Sequence, residues 1–135
     1  MAILGKNCFL EGALTGGTAV DHTLPIYALG DVTLTVDGAP ISRPTSLDIA
    51  QAFKASHQSI TLGFSIEAGE APIDGIYFLG AGKDWTGGYG LEKGSGKTKH
   101  NLTGILSSTS TGSPNTDVSR YDVSISINTA VMATQ

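Results

Sequence analysis

Within Gly94-Ser95-Gly96-Lys97-Thr98 the residue types are those that could cradle a phosphate. A phosphate loop also needs an earlier glycine, so that successive backbone N–H groups wrap the anion, with a strand before and a helix after. Leu91 stands at that earlier position, no apolar strand feeds into the run, and no helical pattern follows it. The stretch therefore reads as a solvated loop. Gly80-Ala81-Gly82 lacks the third glycine and the βαβ setting of a dinucleotide fingerprint. His22, His57 and His100 are far apart in sequence and have no second histidine at metal-ligand spacing, so each reads as a surface or interface residue. Asp21, Asp31 and Asp37 fit turns and exposed strand faces, and they are too scattered for a calcium loop. Asn101-Leu102-Thr103 matches a glycosylation sequon, which reads as chance without a secretory signal. No catalytic, cofactor-binding or metal-binding residue is assigned, no cofactor is expected, and the chain does not read as an enzyme.

A small basic run, Lys93, Lys97, Lys99 and His100, lies beside Trp85 and Tyr89. Two uses fit it. One is a loop that stacks its aromatic rings on a nucleic acid or a sugar. The other is an arm that docks on an acidic neighbouring subunit. Eight Lys plus Arg stand against twelve Asp plus Glu, a net charge of −4, which gives no general attraction to phosphate backbones and favours the arm. Only 15% of residues are charged, so other subunits can cover the surface at low desolvation cost.

The chain of 135 residues reads as a single domain spanning 1–135, large enough to need no staple. Its one cysteine, Cys8, excludes an intrachain disulfide, and the run Cys8-Phe9-Leu10 makes it a small buried hydrophobe. No signal peptide is read at the N-terminus, and no window approaches the roughly 18 apolar residues of a membrane-spanning helix. No membrane partner is expected.

The elements that must position these residues are mostly strands. Period-2 alternation marks Asp31 to Asp37, Ser59 to Ile66 and Tyr121 to Asn128, each with one apolar and one polar face. A slip of one residue would turn each apolar set into water, so these registers are firmly specified. Leu4 to Leu10, Leu24 to Leu29 and Leu102 to Ser108 are weaker strand candidates, and Pro25 fits a strand start or an edge. Asp37-Gly38 predicts a hairpin turn, and residues 111–117 a polar loop before the last strand. A Ser46 cap with Leu47, Ile49, Ala50 and Phe53 behind it predicts a helix over 44–54, and Ala71 to Leu79 is a second, shorter candidate. Residues 80–100 read as an extended Gly-rich loop or hairpin. The fold class is mainly β, an antiparallel sandwich or barrel with one short flanking helix.

The order of these features resembles the tail tube (major tail) proteins of long-tailed bacteriophages. The likeness lies in the opening Ala2-Ile3-Leu4-Gly5-Lys6-Asn7 and in the strand pair Asp31 to Asp37 and Ser59 to Ile66 across a Ser/Thr-rich connection. It is completed by Gly104 to Ser110, a turn, and Asp122 to Asn128 running into Thr129-Ala130. It is a likeness of layout over most of the chain and carries no diagnostic motif. The Trp-bearing Gly/Lys loop and the apolar connection after Gly38 depart from the family pattern.

The resemblance implies a homo-oligomeric ring, a hexamer, that stacks into a tube with other virion proteins. It would be assembled in the host cytoplasm and located in the virion tail, with DNA as non-specific cargo in an acidic lumen. The polar strand faces, Asp31, Thr33, Thr35, Asp37, Ser124 and Ser126, are then the candidates for lumen or interface. Trp85, Tyr89, Lys93, Lys97 and Lys99 are the candidates for an inter-subunit loop. The competing reading is a capsid decoration protein or a carbohydrate-binding module in which Trp85, Tyr89 and Tyr77 form a stacking platform.

Overall fold

The computed structural model describes residues 8–22, 31–38, 41–44, 51–54 and 58–135. In chain order the elements are β1 (Phe9–Leu14), β2 (Val20–Asp21), β3 (Thr33–Gly38), β4 (Ile41–Pro44), β5 (Gln51–Lys54), β6 (Gln58–Glu67), α1 (Ala71–Tyr77), β7 (Asp84–Gly90), β8 (Thr98–Gly112) and β9 (Arg120–Thr134). Seven strands form one sheet in the order β2-β1-β7-β8-β9-β6-β3, and every neighbouring pair is antiparallel. β4 and β5 form a separate two-stranded sheet.

The three alternating runs all become strands, and their register follows the pattern. Leu34 lies opposite Leu62, Leu62 opposite Ile125, and Ile125 opposite Leu106. Leu62, Ile125 and Leu106 are fully buried, and Leu34 packs against them. One position along, Thr35 faces Thr61 and Thr61 faces Ser126 on the other side of the sheet. The sheet curls on its apolar face. His22, at the end of the edge strand β2, has its ring centroid 6.1 Å from that of Phe64 on β6, near the opposite edge. The result is barrel-like, in keeping with the expected class.

The flanking helix is α1 at Ala71–Tyr77, the shorter of the two candidates. The expected helix over 44–54 is replaced at both ends by β4 and β5, which pair from Ile41 with Lys54 to Pro44 with Gln51. Main-chain pairing between these two short strands takes the place of the helical spacing there. Residues 45–50 lie outside the described residues, as do Leu24 to Leu29 with Pro25, and His57. The expected turn at Asp37-Gly38 is also corrected. Both residues lie in β3, opposite Ser59 and Gln58 of β6. Of the strand expected at Leu4 to Leu10, residues 1–7 lie outside the described part, and the strand seen is β1.

α1 has seven residues, carries Pro in its first turn and has no side-chain cap at Glu70. A helix this short does not persist alone in water. Ile73, Ile76 and Tyr77 hold it by inserting into the core. Asp74 adds a tether, accepting the Gly69 N–H at 3.1 Å and the Tyr121 hydroxyl at 2.9 Å.

Just beyond α1, Leu79 has φ 58° and is 82% exposed. A leucine in this left-handed conformation is strained by about 1–2 kcal/mol relative to glycine. Leu79→Gly is therefore expected to raise stability by about 1 kcal/mol. The check is a urea midpoint that moves up with an unchanged slope.

Candidate functional site

The polar side of β3, β6 and β9 is a continuous band. Thr33, Thr35 and Asp37 are exposed on β3, Ser59 and Thr61 on β6, and Ser126 on β9, with Ser124 half-buried beside Gly63. Asp31 and Thr33 join Ser65, Asp122, Ser124, Ser108 and Ser110 around one shallow groove. Ser65 donates its hydroxyl to Asp122. The six strand-face candidates are thus brought onto one surface. Among the described residues of β3, β6 and β9, Arg120 is the cation on that surface, and it sits 3.8 Å from Asp122. Short hydroxyls and carboxylates interact well with water and leave this surface with little positive charge.

The loop candidates divide differently. Residues 80–100 are mostly an extended hairpin, with β7 and the start of β8 joined by a turn at 91–97. Trp85 was expected in an inter-subunit loop but is buried, 1% exposed, because alternation along β7 turns it inward with Tyr89. Its indole lies over Gly12 and Gly87, which are paired across β1 and β7. A methyl on Gly12 would sit 2.7 Å from the ring and one on Gly87 would sit 2.3 Å from it. These glycines form the bed for the ring, a use of strand glycine that propensity scales do not register. Tyr77, a member of the alternative stacking platform, is fully buried too. That platform does not exist as a surface.

Tyr89 is half-buried and lines a cleft of about 510 Å³ with Leu34, Leu91, Glu92, Lys97 and His100. Lys93 and Lys97 are exposed at the hairpin tip, where Lys93 pairs with Asp21 and Lys97 with Glu92 at 3.4 Å. Lys99 is partly buried over the Phe9 ring and 3.8 Å from Glu11. The basic run therefore finds acids within its own chain. The Lys93 and Lys97 pairs are solvated and each contributes at most about 1 kcal/mol. Lys97→Ala is expected to leave the thermal midpoint within a few degrees of the parent.

Sequence reasoning missed the polar cluster in the core. His22, expected at the surface, is fully buried. Its Nε2 is 3.0 Å from the Tyr77 hydroxyl, which accepts the Trp85 indole N–H at 3.2 Å. Burial pushes the His22 imidazole down to about 4, against the opposing pull of Asp21, and raises the Tyr77 hydroxyl well above its ordinary value. Tyr121 is pushed up to about 12 by burial and by its hydrogen bond to Asp74. Cys8 is buried as expected, and burial raises its thiol. No group of three or more potential metal ligands occurs among the described residues.

The C-terminal half of β9 is different again. β6 pairs with β9 from Arg120 to Ile127, whereas β8 continues to pair as far as Thr134. Among the described residues, β9 beyond Ile127 thus has a strand on one side only. Val131 and Met132 on this segment are 60% and 71% exposed.

No family model and no curated protein matches the sequence. Solved structures do match by fold. A chain in the virion of a native gene transfer agent particle aligns over 98% of this chain and 100% of its own, at TM-score 0.67 and 10% identity. A chain of the SPP1 tail tube aligns over 99% of this chain and 80% of its own, at TM-score 0.70 and 10% identity. A chain in the tail of an empty gene transfer agent particle, of C6 symmetry, aligns over 99% of each, at TM-score 0.65 and 13% identity. The chain shares the fold of these three chains.

Proposed function

We propose that this chain is a non-enzymatic structural subunit of a phage-type tail tube, which forms homohexameric rings that stack into a tube through which DNA passes. The observation that carries this reading is the fold match over 99% of the chain to chains of a C6-symmetric gene transfer agent tail and of the SPP1 tail tube. The surface chemistry agrees with it. The band of Asp31, Thr33, Thr35, Asp37, Ser124 and Ser126 is assigned to the lumen. There it offers water-binding groups and carboxylates, and its cation Arg120 lies beside Asp122, which leaves little net attraction to hold DNA.

The half-open edge of β9 and its apolar pair Val131 and Met132 are assigned to the contact between copies. Among the described residues this edge has no strand beside it beyond Ile127, and a strand edge offers N–H and C=O groups that a second chain can satisfy. The hairpin tip with Lys93 and Lys97 is assigned to contacts along the tube. Such head-to-tail contacts do not close on themselves and so extend a filament. The site of action on this reading is the virion tail, built in the host cytoplasm alongside other virion proteins.

The test is negative-stain microscopy of the purified, concentrated protein, with light scattering in parallel. Rings or tubes are expected. A protein that stays monomeric at every concentration contradicts the proposal.

A further inference from the structure

The buried cluster of His22, Tyr77 and Trp85 joins the end of β2, the last turn of α1 and β7. Its hydrogen-bond directions can be worked out from the donors. The Trp85 indole N–H can only donate, so one Tyr77 lone pair is taken. The Tyr77 proton is left to donate, and His22 Nε2 at 3.0 Å is the acceptor that satisfies it. This fixes the neutral imidazole with its proton on Nδ1.

A second proton on the ring would turn Nε2 into a donor. Tyr77 would then receive two donors and have nothing to donate to, and a full charge would lie in an apolar core beside Phe64. The titratable neighbours among the described residues are few. Asp21 is adjacent on β2 and paired with Lys93, and Tyr77 belongs to α1, while Phe64 of β6 and Trp85 of β7 bring no charge. α1 depends heavily on this contact, because it is short, poorly capped and held by three buried side chains and two tethers.

We propose that His22 is an acid-sensitive latch for α1: neutral, it accepts the Tyr77 hydroxyl and holds the helix on the sheet; protonated, it cannot, and α1 releases while the long β8–β9 pairing stays formed. The buried ring resists protonation down to about 4, whereas an exposed one takes a proton near 6.5. Between these values the released form binds one more proton than the closed form, so acid favours release and rising pH restores the latch.

The test is hydrogen exchange of the α1 amides against pH, corrected for intrinsic exchange, with the His22 ring followed by NMR. In the parent, protection at Ile76 and Tyr77 is expected to fall about tenfold per pH unit from about 6.5 to about 4, because one proton is linked to opening. His22→Gln keeps an acceptor for Tyr77 and cannot titrate there, so its α1 protection should be flat over that window. Asp74→Asn keeps an acceptor for Tyr121 without an ionisable carboxyl, and it should retain the parent slope. The latch is overturned if His22→Gln keeps the tenfold slope, or if Asp74→Asn abolishes it. If His22→Gln does not fold, the parent decides alone: a His22 ring that titrates near 6.5 with α1 still protected contradicts the latch, and one that stays neutral until α1 opens supports it.

Discussion

Trp85→Ala is expected to remove about 3–5 kcal/mol of folding stability, the usual range for deleting a large aromatic from a packed core. A domain of ordinary stability has about 5–15 kcal/mol in total, so the variant should melt far below the parent or fail to fold at moderate temperature. The loss combines the cavity left by a ring that is 1% exposed with the loss of the indole N–H that the Tyr77 hydroxyl accepts. The same ring makes a sharper prediction through its glycine bed. In the parent, Gly12→Ala forces a methyl to within 2.7 Å of the indole and is expected to cost about 1–3 kcal/mol. In the Trp85→Ala background the nearest obstruction is gone, since the three atoms nearest a methyl on Gly12 all belong to Trp85, and the same change should cost less. Urea denaturation of the four proteins in this cycle measures the coupling, expected at about 1–3 kcal/mol. Additive effects would place the ring elsewhere.

Val131→Lys with Met132→Lys is the second large expected effect. Both side chains are mostly exposed, so the subunit's own stability should change by no more than about 1 kcal/mol. Assembly should be lost. Lysines on a strand edge disfavour pairing with another strand, because the approaching chain must desolvate them. Sedimentation of the variant beside the parent checks this, with a monomer expected for the variant under conditions where the parent forms large particles. A variant that assembles as well as the parent would remove this edge from the contact between copies.

Much of the fold was legible because strand alternation is a local signal with a global consequence. Val32 and Leu34, the run Ile60 to Ile66 and the odd positions 121 to 127 showed which face is core, and pairing brought the opposite faces into one polar band. What local signals could not show was the company each residue keeps. The Gly-rich stretch around Trp85 looks mobile in sequence, yet Gly12 and Gly87 lie on different strands and serve one ring. Likewise His22 and Tyr77 are separated by 55 residues, and only the curl of the sheet makes them partners. Of the two helix candidates, it is the shorter that forms the flanking helix, for a related reason. The spacing in 44–54 fits a helix in isolation, while 71–77 is helical because Ile73, Ile76 and Tyr77 find a core to enter. The basic run of Lys93, Lys97 and Lys99 reads in sequence as an arm for an acidic neighbouring subunit, and Asp21, Glu92 and Glu11 of its own chain lie beside it.

The polar band opposite the core is the feature on which the proposed function most depends, and its role is visible only in the assembled state. The most direct measurement is cryo-electron microscopy of the purified protein concentrated until it sediments. A tube of stacked sixfold rings is expected, with Thr35, Thr61 and Ser126 lining its channel. Rings that bury this band between subunits, or a protein that stays monomeric throughout, would contradict the account.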